Sequence, residues 1–246
     1  IGQSSIRINF KNLSLGISNE NIWWGPSIKN SIMMSNHAKG FKHLTFNTIK
    51  PIKTKIGNFE WQLISAKLQS SGFLHSGNDK TNSGRPIYVP KINQLGETDD
   101  WRYMQALMFS YSPKWIDGLN LGYIRWVQFY SALVEGRYFW MEGNTNYFPV
   151  FSNIFRKNDN SPSHEGQIDQ AAGLFFRWLW KESNSEIYSE YYFNDAKVNI
   201  RDLLLDSRHA RAFTIGFQKI FIKNSLKLNF EWTQMEQTGA RMGRNG

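Results

Sequence analysis

The stretch Arg211-Ala-Phe-Thr-Ile-Gly-Phe-Gln-Lys-Ile-Phe-Ile-Lys-Asn-Ser-Leu-Lys-Leu-Asn-Phe-Glu-Trp-Thr-Gln-Met-Glu236 decides the fold. In its second half Leu226, Leu228, Phe230 and Trp232 alternate with Lys227, Asn229, Glu231 and Thr233. In its first half Phe213, Ile215, Phe217 and Phe221 share one phase, interrupted only by Lys219. Ile222-Lys-Asn-Ser225 lies between them as a short polar turn. A period of two marks a strand with one apolar and one polar face, and two such runs on a short polar connection make a hairpin. Each run has about ten residues, the length a tilted strand needs to cross a bilayer.

Outward from this hairpin the same pattern predicts nine strands, near 4–17, 44–52, 58–70, 100–111, 119–130, 169–180, 186–194, 211–221 and 226–236. Ile6, Ile8 and Phe10 alternate with Arg7, Asn9 and Lys11. Ile187, Tyr191 and Phe193 alternate with Glu186, Glu190 and Asn194. In 169–180, Leu174, Phe176, Trp178 and Trp180 oppose Asp169, Gly173 and Arg177. The segments 100–111 and 119–130 carry aromatics in both phases.

The connections sort by length. Residues 53–57, 112–118, 181–185 and 222–225 are short and polar or turn-forming, while 18–43, 71–99, 131–168 and 195–210 are long. Short and long connections alternate along the whole chain. A meander through a membrane has one short-turn side and one long-loop side, whereas a soluble sandwich has no reason to sort its loops and rarely holds structureless ones this long. The expected fold is therefore an all-β, antiparallel up-and-down transmembrane β-barrel. It occupies 1–246 as one domain and forms part of a larger barrel, because nine strands is an odd number. The ends, Ile1 and the run closing at Gly246, read as cuts in a longer protein.

Composition agrees. Ten Trp, 10 Tyr and 18 Phe are more rings than soluble domains usually carry, and membrane barrels use them as girdles at both interfaces. No apolar run reaches the roughly 18 residues of a membrane helix, so crossing by strands is the route left open. The chain has no Cys, which removes disulfides, zinc-thiolate sites and thiol nucleophiles together. The formal charge of +9 is scattered with no basic block, so nucleic acid is not expected as a partner; the positives suit a pore lining or an acidic glycan. Charges on strand faces belong in the lumen. Arg7, Lys11, Glu60, Arg102, Arg125, Asp169, Arg177, Glu186, Glu190, Lys227 and Glu231 are the expected lumen residues.

The most specific segment is in the first long connection, from Gly16 to Ala38. Trp23 and Trp24 precede Gly25-Pro26, a bulky pair on a sharp turn. Indole faces pack on sugar rings and their N–H groups donate hydrogen bonds. Asn19, Asn30, Ser35 and Asn36 would supply partners for hydroxyls. The alternative is a plug, a loop folded into the lumen with the Trp pair as its core.

This segment resembles the capsule assembly protein Wzi family in its Bacteroidetes form. The resemblance rests on Trp23-Trp24-Gly25-Pro26 followed by Ile32-Met33-Met34-Ser35-Asn36-His37-Ala38. Asp100-Trp101-Arg102-Tyr103 and Asp206-Ser207-Arg208-His209-Ala210-Arg211-Ala212 are similar to later family segments. Ser27 stands where the family pattern has Gly. The resemblance implies a bacterial outer-membrane β-barrel with a lectin-like surface role, no catalysis and no cofactor. Its implied partners are outer-membrane lipid, capsular or other surface polysaccharide, and other outer-membrane proteins.

The five His (His37, His43, His75, His164 and His209) form no recognised metal spacing, so no metal site is expected. Ser35 near His37 is the pairing a rim hydrolase would use. Asp99-Asp100 and Glu186 with Glu190 are the acid pairs a glycosidase would need to set across a cleft. Neither is preferred to ordinary surface or lumen positions, and no catalytic residue is expected. The function read from the sequence is a non-enzymatic outer-membrane barrel that binds or anchors capsular polysaccharide. Trp23, Trp24, Asn36, His37, Arg208 and His209 are its expected glycan contacts. An accessory subunit of a secretion or gliding complex and a porin are the alternatives.

Overall fold

The computed structural model describes residues 2–69, 101–130, 148–151, 168–194, 211–221 and 226–236. These form one antiparallel sheet of eleven strands. In chain order they are β1 (Ser5–Phe10), β2 (Leu13–Ser18), β3 (His43–Thr48), β4 (Ile52–Lys53), β5 (Gly57–Gln69), β6 (Trp101–Pro113), β7 (Leu119–Tyr130), β8 (Ile168–Trp180), β9 (Ser185–Asn194), β10 (Arg211–Phe221) and β11 (Leu226–Glu236). Each full strand pairs with its neighbour in sequence, and the two-residue β4 pairs with the start of β5. No pairing joins β1 to β11 among the described residues, so the up-and-down sheet is open, as expected of part of a barrel.

The run 4–17, expected as one strand, is a hairpin. Phe10 pairs with Leu13 across a two-residue turn, and Lys11 takes the left-handed backbone at φ 52° that such turns require. The clue is a change of phase. Apolar residues occupy even positions through Phe10 and odd positions from Leu13. This gives ten full strands instead of nine, so the odd count no longer argues for missing strands. It also adds one more short connection to the alternation. Strands are separated by residues 11–12, 49–56, 114–118, 181–184 and 222–225 at one end of the sheet, and by 19–42, 70–100, 131–167 and 195–210 at the other.

Alternation assigns each strand two faces. Ile6, Ile8, Leu15, Ile17, Leu44, Phe109, Leu121, Leu174, Ile215, Leu228, Phe230 and Trp232 are exposed on one face. On the other, Ser14, Ser18, Thr45, Glu186, Glu190, Thr214 and Gln218 are buried. Polar residues inside and apolar residues outside invert the soluble rule, as a wall facing hydrocarbon requires. Rings gather on the outer face at the short-turn end. Phe59 stacks on Tyr111 at 4.8 Å, Tyr111 meets Trp115 edge-on at 6.3 Å, and Trp178 lies 5.1 Å from Trp180. This is the position of an interfacial girdle. A Leu174→Arg variant, at mid-strand on this face, is expected to lose roughly 2–4 kcal/mol of stability in lipid. The same change at inward-facing Lys227 is expected to cost little, and urea titration of both variants in bilayers checks the difference.

Of the expected lumen residues, Arg7, Glu60, Arg102, Asp169, Arg177, Glu186, Glu190, Lys227 and Glu231 share the inward phase by register. Arg177 donates to Glu186 at 2.8 Å, and Gln128 to Asp169 at 2.9 Å. Two depart. Lys11 lies in the turn. Arg125 pairs with Leu107 and Ala172, which puts it on the outer phase. Several inward rings face a glycine directly across the sheet: Phe175 opposite Gly122, Tyr192 opposite Gly173 and Tyr188 opposite Gly216. A methyl group at any of these glycines would collide with the ring, so each ring lies flat on the wall.

Candidate functional site

Residues 19–42 leave the long-loop end of β2, enter the concave face and return to β3. Their apolar side chains make the molecule's main core. Ile22 and Trp24 are buried with Ile64, Ala66, Met104, Ala106, Ile124 and Tyr192 of the wall, and Ile32, Met33, Met34 and Phe41 pack around them. The wall residues that seat the plug are small or apolar and lie mainly on β5–β7, joined by Tyr192 of β9. Trp24 is only 2% exposed, and its indole N–H donates to Gln62 Oε1 at 2.8 Å. Its backbone N–H donates to the Met34 carbonyl at 3.2 Å, pinning the two arms of the plug together. Ser31 Oγ donates to the Trp24 carbonyl.

The tip of the plug is held by two wall carboxylates. Glu231 of β11 accepts from the backbone N–H groups of Ile28 at 2.7 Å, Asn30 at 2.9 Å and Lys29 at 3.1 Å. Tyr188 of β9 donates its hydroxyl to the same group at 2.7 Å. Glu190 accepts from the N–H of Ser27 at 2.9 Å and of Ile32 at 3.4 Å. Successive amides turned to one side form a nest for an anion, and here the wall supplies that anion. Gly25 makes the close approach feasible. It sits at φ 102°, and a Cβ there would stand 2.7 Å from Glu190 Cδ. A Gly25→Ala variant is expected to lose about 1–3 kcal/mol through the disfavoured backbone and the displaced carboxylate. Comparing its thermal midpoint with that of the parent checks this.

The base of the plug is tied to the first hairpin. Arg7 donates to Glu20 at 3.1 Å and to Asn47 at 3.1 Å, and Ser18 Oγ also donates to Glu20 at 3.0 Å. These donors, Arg7 first, hold the Glu20 carboxyl below its ordinary pKa. The ion pair is partly exposed and serves to orient the strand exit more than to stabilise it.

The expected glycan residues separate here. Trp24 is in the core of the plug, with no ring face free for a sugar. Trp23 is half-buried, and its N–H donates to the Ser27 carbonyl at 2.9 Å. Asn36 and His37 are exposed on the arm that returns to the long-loop end. Arg208 and His209 lie outside the described residues, as do His75, His164, Asp99-Asp100 and the 222–225 turn. The backbone N–H of His37 reaches Ser35 Oγ at 3.4 Å, and this link does not involve the imidazole. Glu186 and Glu190 both face inward, but each is engaged, Glu186 by Arg177 and Gln218, and Glu190 by the plug. No group of three His, Asp or Glu among the described residues is placed to hold a metal ion. The sequence reading missed Glu190 and Glu231 as the plug's latch. Nothing local in their own strands marks them out from other inward carboxylates.

An open meander with an apolar outer face, a polar inner face and a plug returned into the concave side defines the class: a plugged barrel wall of the outer-membrane type. The family model for the capsule assembly protein Wzi matches residues 1–245, so the chain belongs to that family. Searches of curated proteins and of solved structures returned no match.

Proposed function

We propose that this protein sits in the bacterial outer membrane and binds capsular polysaccharide at its long-loop end, without catalysis. Membership of a capsule assembly family supports this reading. The observation that carries it is the exposed Asn36-His37 arm, which is flanked by Met34 and Phe41 packed against the core on the wall. A carbohydrate site needs donors and acceptors held in place, because each mobile side chain ordered on binding costs affinity. Trp23 stands at the same plug, while the expected contacts Arg208 and His209 lie outside the described residues. The net charge of +9 suits an acidic glycan, where charge-assisted hydrogen bonds to carboxylates are strong.

A plug seated on the concave face counts against an open porin. Among the described residues the wall gives no surface that favours a secretion or gliding partner over glycan. The test is binding of purified capsular polysaccharide by calorimetry. The combined Trp23→Ala, Asn36→Ala and His37→Ala variant is expected to bind at least ten times more weakly with its fold intact. Unchanged affinity would remove these residues from the site, and no affinity in the parent protein would end the glycan reading.

A further inference from the structure

Outer-phase residues are exposed along most of this wall, but one patch is not. Gln105, Arg125, Val127 and Ala172, all on the outer phase of β6–β8, are 0%, 2%, 3% and 3% exposed. A short 3-10 turn, Pro149–Phe151, lies against β6 and β7 at this patch and bonds to Arg125 and Gln105. Arg125 Nη1 donates to the Val150 carbonyl at 2.9 Å, and its Nη2 donates to Gln170 Oε1 at 2.8 Å. The Val150 N–H donates to Gln105 Oε1 at 3.3 Å, and Gln105 Nε2 donates to Ser65 Oγ at 3.1 Å. Val150 is buried beneath the turn, while Phe148 and Phe151 face outward at 54% and 65% exposure.

The depth of this patch matters. From Tyr111 in the short-turn girdle to Gln105 along β6 is about 20 Å of strand. At the usual tilt this is about 15 Å of membrane depth, inside an apolar band about 25 Å tall. A bare Arg and two Gln at that level would face hydrocarbon, which is costly. An irregular segment is tolerated there only if its backbone groups are paired within the protein. This one meets the condition at the groups the structure shows. Pro149 has no N–H, the Phe151 N–H donates to the Phe148 carbonyl at 3.1 Å, and both polar groups of Val150 are taken by wall side chains.

We propose that Phe148–Phe151 is a lipid-immersed strap: Arg125 and Gln105 anchor its backbone from the wall, and Phe148 and Phe151 contact acyl chains of the outer leaflet. The inference rests on the membrane reading above. Because the chain has no Cys, single-cysteine variants report one site each. Phe151→Cys, Leu174→Cys on the bare wall and Asp117→Cys in the exposed short turn are each spin-labelled in the full protein, reconstituted in phospholipid vesicles. Accessibility to oxygen and to a water-soluble nickel chelate is then measured. The label at 151 is expected to match that at 174, with oxygen favoured over nickel, and to differ from that at 117. Nickel access at 151 with oxygen access at 174 would overturn the strap while leaving the membrane reading intact. Exclusion of both reagents at 151 would mean a protein partner covers it and would equally overturn the proposal. Nickel access at 174 would sink the membrane reading itself. In the Arg125→Leu background the label at 151 is expected to become mobile; an unchanged line shape would overturn the anchoring role.

Discussion

A Glu231→Ala variant is expected to unlatch the plug and open Lys29 to trypsin about a hundredfold faster than in the parent. The carboxylate serves four donors at once, the amides of Ile28, Lys29 and Asn30 and the hydroxyl of Tyr188. Hydrogen bonds to a charged acceptor contribute roughly 1.5–3 kcal/mol each. Glu231 is partly exposed and water can rehydrate some of these donors, so the expected net loss is roughly 3 kcal/mol rather than the full sum. That shift corresponds to about two decades in the open population. Lys29 sits in the gripped turn, so cleavage after it, followed by mass spectrometry on the folded protein in detergent, reads the latch directly. Glu231→Gln keeps an acceptor oxygen without its charge and is expected to fall between the two. Equal cleavage in all three proteins would show that the carboxylate does not hold the tip.

The second large effect is expected at Trp24. Trp24→Ala empties the centre of the plug core and should cost about 3–5 kcal/mol, the range for deleting a buried large ring. Trp24→Phe keeps most of the packing and loses the bond to Gln62, with an expected cost of about 1 kcal/mol for the hydrogen bond and a further increment for the smaller ring. The two together separate packing from polarity. Thermal midpoints give the cost, and far-ultraviolet dichroism is expected to keep its strand signal in both, because the wall's ladders do not depend on the plug. Equal and small losses in both variants would place Trp24 outside any cooperative core.

The wall was legible because a bilayer imposes a strict rule on each strand. Leu226, Leu228, Phe230 and Trp232 had to share a face, and they do. Alternation alone runs unbroken in type through 4–17, and only its change of phase marks the turn, since Lys11-Asn12 carries no Gly or Pro to announce one. By the general rule a charge on a strand of a membrane barrel belongs in the lumen, and Arg125 departs from it. Its position outside is permitted by a turn 25 residues further along the chain that supplies its acceptor, and no local pattern foretells that. The special character of Trp23-Trp24-Gly25-Pro26 was visible, and a plug was one of the two readings open for it. Which residues it meets was not visible, since Trp24 and Gln62 lie 38 residues apart and Ser27 and Glu190 lie 163 apart. Long-range pairing of this kind is set by topology, and a single sequence does not encode it in any window.

The latch grips main chain, not side chains. Glu231 and Glu190 bind amide N–H groups that every residue except proline possesses. Drift at Ile28, Lys29 or Asn30 therefore leaves the grip in place, provided proline is avoided and the turn keeps its shape. An evolving lineage, or a designer grafting new residues onto the returning arm at Asn36 and His37, is free to change the side chains displayed there while the seat beneath them stays the same.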